Sequence, residues 1–437
     1  MKLTKFFASD YVNYASYDNL RKIASVIDGQ KNASRKILFT VLEKNINSLL
    51  KVSQLSSKAA EYAEYLHGDM SGVIVGLGQD YTGTNNIPLM KKKGNFGTRF
   101  SPAASAPRYI FTYGTQDFFE LFKKEDIPIL RGQTFEGQRI EPMFYVPSLP
   151  LLLINGSEGV SSGFAQKILP RNPDTIKKYI TAKLAGTKTP ALTPWYRGFN
   201  GTVTPYENKG QWQVKGSFKR LGINRIEITE VPIGYNLKSY IKVLDDLEDK
   251  KVIQGYTDKS EDDNFKFEVN IPSKSLKSWS DNDVLAKLKL VKTVTENYTV
   301  ITEENKIAVY ESAEEVLDHY IGVKVQYMQK RKEHLCSSLE ADIKFDFSKY
   351  LFIKMIVSDE LIINKRKKAD IVKDLEKVPD ILPRDDSYDY LLGMSISSLT
   401  EERMKKLEQD RKNKEAELKK LIKTTPEAIW VGDINAV

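Results

Sequence analysis

Cysteine is almost missing: Cys336 is the sole thiol in 437 residues, so no intrachain disulfide can form. Histidine is scarce, limited to His67, His319 and His334. Three imidazoles and one thiol leave no structural zinc cage and little room for a Ser-His-Asp hydrolase. The P-loop pattern G-x-x-x-x-G-K-[ST] does not occur, nor does H-E-x-x-H, which removes those nucleotide and metal sites. Long apolar runs are lacking as well. The most apolar stretch, 146–154, is broken by Pro147 and Pro150 and is too short to span a bilayer. The N-terminus has no apolar signal-peptide core, and the chain shows neither repeats nor low-complexity tracts. These absences suit a soluble protein in a reducing cytoplasm.

Hydrophobic residues make up 41%, enough to bury a core, and the length suits two or three compact units. Lysine and arginine outnumber acids 66 to 58, a net +8. That excess points weakly to a polyanionic partner; where the cations sit matters more.

Residues 1–45 read as two helices split at Asp28-Gly29, the second opening with Lys31, Arg35 and Lys36 in a helix-turn-helix-like arrangement. From about 80 to 115 the composition turns to Gly, Asn, Pro, Ser and Lys, the texture of loop-rich surface. Strand-like segments then dominate to about 310, among them 201–206, 224–231 and 298–301, with a helix at 237–247 between them, an α+β texture. A long charged helix is expected at 314–339, then a compact apolar stretch at 345–363. A last long helix is expected from an N-cap at Thr400, with Met404, Leu407, Leu418 and Leu421 forming a heptad seam interrupted by Arg411 and Lys414. Two long helices around a small globule suggest an antiparallel coiled-coil arm with a knob; a solvated helical hairpin within one domain gives the same pattern.

The segment richest in chemistry runs Lys91-Lys92-Lys93-Gly94-Asn95-Phe96-Gly97-Thr98-Arg99 and on to Arg108-Tyr109. Cations flank glycines that let backbone approach a phosphate closely. A phenol with a pKa of about 10 is a poor nucleophile at neutral pH. A neighbouring guanidinium favours the phenolate and hydrogen-bonds a phosphate as charge builds on its oxygens. Most tyrosines, however, are packing residues with a polar tip.

Gly94-Asn95-Phe96-Gly97, a ten-residue spacer and Arg108-Tyr109 resemble the active-site signature of type IIA topoisomerases, the gyrase A family and its relatives. Colinear blocks extend the resemblance over nearly the whole chain. They include Asp28-Gly29-Gln30-Lys31 with Arg35-Lys36-Ile37-Leu38, Leu66-His67-Gly68-Asp69, 153–160, 194–199, 226–232 and 390–394. Asn85-Asn86-Ile87-Pro88-Leu89, Gly97-Thr98-Arg99 and 327–332 are closer in wording to the fused eukaryotic enzyme. The layout, a cutting chain without ATPase or metal-binding (toprim) half, resembles the separate cutting subunit of T4-like phage topoisomerases, implying a host-cell cytoplasm.

The resemblance implies a winged-helix DNA breakage-reunion domain at 1–150, an α/β tower domain at 151–310, and a coiled coil at 311–437 with a helical dimer-gate globule at about 345–398. Tyr109 is then the nucleophile, 5′-phosphotyrosyl-linked during the break. Arg108 stabilises the transition state, and His67 hydrogen-bonds near the scissile phosphate. Lys31, Arg35 and Lys36 line the cleaved backbone, and Lys91, Lys92, Lys93 and Arg99 are further DNA contacts. Val160 stands where the family places an intercalating isoleucine. Double-stranded DNA, a second copy of the chain through the gate, and an ATPase/toprim subunit that binds Mg²⁺ and ATP are the implied partners. No metal site is expected in this chain. A chain ending at Val437 without a wrapping domain suggests relaxation or decatenation rather than active supercoiling.

Three departures stand out: Asn32 replaces a common proline, the stretch after His67-Gly68-Asp69 is shortened, and Met70 replaces a small polar residue. A tyrosine recombinase would need histidines arranged differently. A non-catalytic DNA-bending scaffold is the other reading, against which the intact Arg108-Tyr109 pair speaks.

Overall fold

The computed structural model describes residues 3–395 and 399–437 of a mixed α/β chain. It forms two compact units, Met1–Lys324 with Val431–Val437, and Val325–Trp430. The boundaries expected at 150 and 310 both fall inside the first unit.

The first unit opens with helical turns at Leu3–Phe6, a π-helical stretch at Phe7–Tyr11 and helix α1 (Val12–Lys22), which stops where Ile23 turns extended. Helix α2 (Asn32–Glu43) buries Ile37, Leu38, Phe39, Val41 and Leu42, so it is a core helix rather than a one-faced surface one. Each such side chain contributes about 2 kcal/mol on removal from water. Strand β1 (Leu50–Lys51), helices α3 (Val52–Tyr62) and α4 (Ser71–Gly78), and strands β2 (Met90–Lys93) and β3 (Phe111–Gly114) follow. Helix α2 packs on α3 and α4, and the strands form an antiparallel sheet in the order β1-β3-β2. The three lysines therefore stand on a strand and not in a loop. Local composition argued for a loop; pairing of Met90 with Gly114 and Lys93 with Phe111, with Met90 buried, overrides it.

After a short hairpin of 133–135 against 138–140 comes a second one, β4 (Ser157–Val160) against β5 (Ala165–Ile168). Beyond it lie β6 (Thr202–Pro205), β7 (Gln211–Lys215), β8 (Ser217–Arg220), β9 (Arg225–Glu230), helix α5 (Leu237–Asp249), β10 (Gly255–Asp258), β11 (Phe267–Asn270), β12 (Val291–Thr295), β13 (Tyr298–Ile301) and β14 (Ile307–Tyr310). They form antiparallel sheets in the orders β8-β9-β11-β10, β12-β7-β6 and β13-β14. Along β9 burial alternates, placing Ile226 and Ile228 in a core with Tyr240, Leu244, Phe267 and Val269. Arg171 and Glu296 form a fully buried two-point ion pair, at 2.5 and 2.8 Å, beside it.

Helix α6 (Ala313–Val357) has 45 residues. It runs through the segment from 345 that was expected to leave the helix, because no glycine or proline follows Gly322 before Val357. Near its start the Tyr320 hydroxyl donates to the Pro147 carbonyl at 2.5 Å.

In the second unit α6 continues beside helix α8 (Glu401–Lys423), with α7 (Lys368–Leu375) between them in sequence. The two long helices run antiparallel: Lys332 donates to the Ile422 carbonyl at 2.9 Å, while Asp346 accepts from Lys414 at 2.6 Å. The two cations that interrupt the heptad are thereby accounted for, since Arg411 lies 5.0 Å from the Phe347 ring centroid and Lys414 pairs with Asp346. Thr400 caps α8 by accepting from the Arg403 amide. Phe352, Leu361, Ile371, Leu375, Ile381 and Leu391 make a small separate core. Of the globule expected at about 345–398, residues 396–398 lie outside the described residues.

Candidate active site and nucleic-acid interface

Tyr109 sits in the turn that leads into β3 and is 66% exposed. Its backbone is pinned on both sides. The Tyr109 amide donates to Ala106, and the next residue, buried Ile110, accepts from the Val52 amide at 3.0 Å. The glycine motif upstream is scaffolding for this turn. Gly97 adopts φ +87°, and a Cβ there would meet the Pro102 carbonyl oxygen at 2.3 Å, so no other residue fits. Asn95 accepts from the Gly97 amide at 2.8 Å, its own carbonyl accepts from Ser105 at 3.0 Å, and Phe96 is buried. The Arg108 guanidinium lies 4.7 Å from the Tyr109 ring centroid, a cation beside the phenol.

Lys91, Lys92 and Lys93 are exposed on β2, whose partner β3 begins two residues after Tyr109, so the triple cation and the phenol share one corner of the sheet. Lys92 is paired with Asp80.

His67 is exposed on the loop between α3 and α4. Asp69 ties that loop down, its Oδ1 accepting from the Ser56 hydroxyl at 2.7 Å and the Ser71 amide at 3.1 Å, and these bonds keep its carboxyl below the usual range against desolvation, the largest single influence. The His67 ring is flanked by Tyr65 and Tyr17, at 5.7 and 5.9 Å between centroids, and its Nε2 meets the Tyr17 hydroxyl. Among the described residues no hydrogen bond joins His67 to Tyr109.

Lys31, at the N-cap of α2, and the α2 cations Arg35 and Lys36 are already engaged with protein. Lys31 donates to the Glu158 carbonyl at 2.7 Å, and burial lowers its pKa. Arg35 makes a two-point pair with buried Asp28. Lys36 is buried against Glu141 at 2.8 Å, and desolvation lifts the Glu141 carboxyl above its usual range in spite of that partner. Arg99 departs furthest from expectation. It is 5% exposed, pairs with Glu230 at 2.7 Å, donates to the Val231 carbonyl and stacks 4.7 Å from the Phe265 centroid. Its expected place among the DNA contacts is corrected: the guanidinium is interior, because a buried carboxylate needs a partner.

Val160 is 73% exposed at the end of β4, with Phe164, 40% exposed, across the tip of the same hairpin. Sequence reasoning passed over Phe164 and also over Asp28, Glu141 and Tyr17. An aromatic next to Gly163 between two short β segments was the available signal for the first. Asp28 meets Arg35 only seven positions on, whereas Glu141 and Tyr17 reach Lys36 and His67 across distant segments, for which no local signal exists. Among the described residues no group of three or more His, Cys, Asp or Glu could hold a metal ion, and no helix is long and apolar enough to cross a membrane.

Residues 21–435 match a family model described as the A subunit of DNA gyrase/topoisomerase IV. The chain is 34% identical over 445 residues to the mitochondrial DNA topoisomerase 2 of Dictyostelium discoideum, covering 98% of this chain and 34% of that protein. It is 30% identical over 492 residues to DNA topoisomerase 2 of Saccharomyces cerevisiae, covering 99% and 34% respectively. A crystal structure of the Plasmodium falciparum topoisomerase II DNA-binding, cleavage and re-ligation domain matches with a TM-score of 0.92 at 31% identity, over 99% of this chain and 63% of that one. The chain spans about a third of the length of these curated relatives.

Proposed function

This chain belongs to the gyrase A/topoisomerase IV A family, the breakage-reunion part of type IIA topoisomerases, and on that premise we propose that it cuts and reseals DNA through Tyr109. The observation that carries the reading is the exposed phenol held in a backbone-pinned turn with Arg108 against its ring. The phenol gives up its proton to solvent and its oxygen attacks a DNA phosphorus, the P–O3′ bond breaks, and the 3′ oxygen takes up a proton and leaves as a hydroxyl. The product is a 5′-phosphotyrosyl ester. A phenolate is a good leaving group, so the ester keeps the free energy that resealing needs. Arg108 stabilises negative charge on the phosphate oxygens as the bond forms. His67, steadied by Tyr17 and the Asp69 loop, hydrogen-bonds near the same phosphate, and Lys31, Arg35 and Lys91–Lys93 bind backbone, while buried Lys36, held by Glu141, supports the helix that carries Arg35. Val160 wedges a base step.

In this reading residues 1–150 form the winged-helix cleavage domain, 151–310 the tower, and the antiparallel helices a coiled coil whose globule joins two copies. Two copies make a double-strand break through which another duplex passes, giving relaxation or decatenation. In this reading Mg²⁺ and ATP are held by an ATPase/toprim partner; bound there, Mg²⁺ would neutralise charge near the scissile phosphate. A phage origin and a host-cell cytoplasm go with the same proposal.

Denaturant quenching of the chain copurified with its native partner, on end-labelled duplex with Mg²⁺, tests this. The expected result is a covalent adduct that Tyr109→Phe abolishes while duplex binding persists. An adduct that survives Tyr109→Phe overturns the assignment. A non-catalytic DNA-bending scaffold would bind duplex and yield no adduct in either form.

A further inference from the structure

The β4–β5 hairpin has two faces. On one, Gly159 lies so close to α1 that a Cβ would meet the Lys22 carbonyl oxygen at 2.2 Å. Opposite it, buried Gln166 accepts from the Ala24 amide at 3.1 Å and donates to the Thr299 carbonyl at 2.7 Å. The hairpin is thus anchored below its tip. The tip is held separately. Asp18, 7% exposed, accepts from the Ser162 amide at 2.9 Å and the Ser162 hydroxyl at 3.0 Å, and Asn19 accepts from the Ser161 hydroxyl. The turn closes on itself through the Ser161 amide and the Phe164 carbonyl, 2.9 Å apart.

What this frame presents to solvent is apolar. Val160 is 73% exposed and Phe164 40% exposed, on either end of the four-residue turn, and both stand out among residues that normally seek burial. The nearby lysines are matched to acids of the same region, Lys22 to Asp18 and Lys167 to Glu158, while Lys31 donates to the Glu158 carbonyl. An exposed apolar tip on a rigid hairpin suits a stacked base step, where hydrocarbon meets the faces of the bases. A valine alone offers little surface to a base; a phenyl ring offers a stacking face worth about 1–3 kcal/mol in single-strand recognition.

We infer that Phe164 is a second wedge residue, inserting with Val160 at the bent base step, and that Asp18 and Asn19 are positioning residues that hold the turn presenting both. The inference rests on the reading of Val160 as a DNA wedge. The bend is then shared: Val160 opens the step and the Phe164 ring covers an exposed base face. Without the Asp18 and Asn19 bonds the turn loses its fixed orientation, and the apolar pair spends less time aligned with a base step.

The experiment measures duplex bending by energy transfer between end labels on a double-stranded oligonucleotide, using the full chain as wild type, Val160→Ala, Phe164→Ala, the double variant, Asp18→Asn and Ser162→Ala. The expected result is that each wedge variant lowers the bent fraction about threefold or more and that the double variant lowers it further, with the salt dependence of binding unchanged. The positioning variants should lower the bent fraction in the same direction; Ser162→Ala leaves the salt slope unchanged, whereas Asp18→Asn also frees Lys22 and steepens it. Bending that survives Phe164→Ala but falls in Val160→Ala overturns the inference and leaves the Val160 wedge standing. Bending untouched by either substitution sinks both. Full bending in Asp18→Asn and Ser162→Ala alike overturns the positioning role; Ser162→Ala, which removes one hydroxyl only, keeps that arm decisive should Asp18→Asn fail to fold.

Discussion

Arg35 and Asp28 hold each other by two parallel bonds, Nε to Oδ2 at 2.7 Å and Nη2 to Oδ1 at 3.1 Å, with the Asp28 side chain wholly buried. Asp28 also accepts from the Tyr145 and Gln30 amides, so its carboxylate fixes three segments at once. Nη2 also donates to the Gln30 carbonyl at 3.2 Å, so the fork of Arg35 is preorganised, and in the proposed function Nη1 is the donor that meets a phosphate. Arg35→Lys keeps the charge and loses the fork. Adduct formation should fall by about tenfold or more while duplex affinity changes little, as loss of one charge-assisted bond in the transition state requires. Quench-flow cleavage beside filter binding measures both; equal losses in the two would show a binding role only.

The lysine strand and Arg99 separate on salt dependence. Lys91→Ala and Lys93→Ala should each reduce the slope of log affinity against log salt by about 0.9, the signature of one released counterion. Lys92→Ala should do less, because Asp80 already neutralises that ammonium. Arg99→Ala should leave the slope alone and instead destabilise the fold by about 3–5 kcal/mol, as Glu230 is left buried without its cation. Fluorescence titrations at several salt concentrations, with urea melts of the same proteins, check the set.

Removing one half of the Arg171–Glu296 pair should be among the most damaging changes remote from DNA. Both side chains are essentially unexposed, and Glu296 also accepts from the Leu169 amide and the Trp212 indole. Glu296→Ala should lower unfolding free energy by about 3–5 kcal/mol, read from the urea midpoint at unchanged slope.

Acid should loosen the hairpin only late. The bond from Lys22, joined by those from Ser162, holds the Asp18 carboxyl below its usual range against the opposing effect of desolvation. A carboxyl with a depressed folded-state pKa contributes stability that is present above its unfolded value, about 3.9, and is lost as pH falls through the folded value. The bent fraction should hold from neutrality to that range and fall below it, and Asp18→Asn should flatten that acid limb. Energy transfer measured across the pH series decides; a loss of bending centred near neutral pH would contradict the assignment.

How far the chain could be read from residues alone follows from where each constraint lies. The helix at 237–247, the strands at 225–230 and 298–301 and the Thr400 cap were legible because each is written in a short window, as a period of two or 3.6 or as one capping side chain. The active-site turn was legible for the same reason, since Gly94, Gly97, Arg108 and Tyr109 carry their spacing in one segment. The interior fate of Arg99 was not, because its partner Glu230 lies 131 positions away and an unpaired arginine beside glycines reads as surface.

The sequence by itself determined that Tyr109 has a cation beside it, that α8 begins at its cap, and that no thiol or histidine cluster competes for the chemistry. Only the tertiary structure decided which cations remain outside. Lys36 and Arg99 were drawn inward by Glu141 and Glu230, and Arg35 was pinned half-buried by Asp28, whereas the lysines of β2 kept their exposed face. The physical reason is that a carboxylate stripped of water must be matched wherever the fold happens to bring a partner, and that meeting depends on the packing of distant segments.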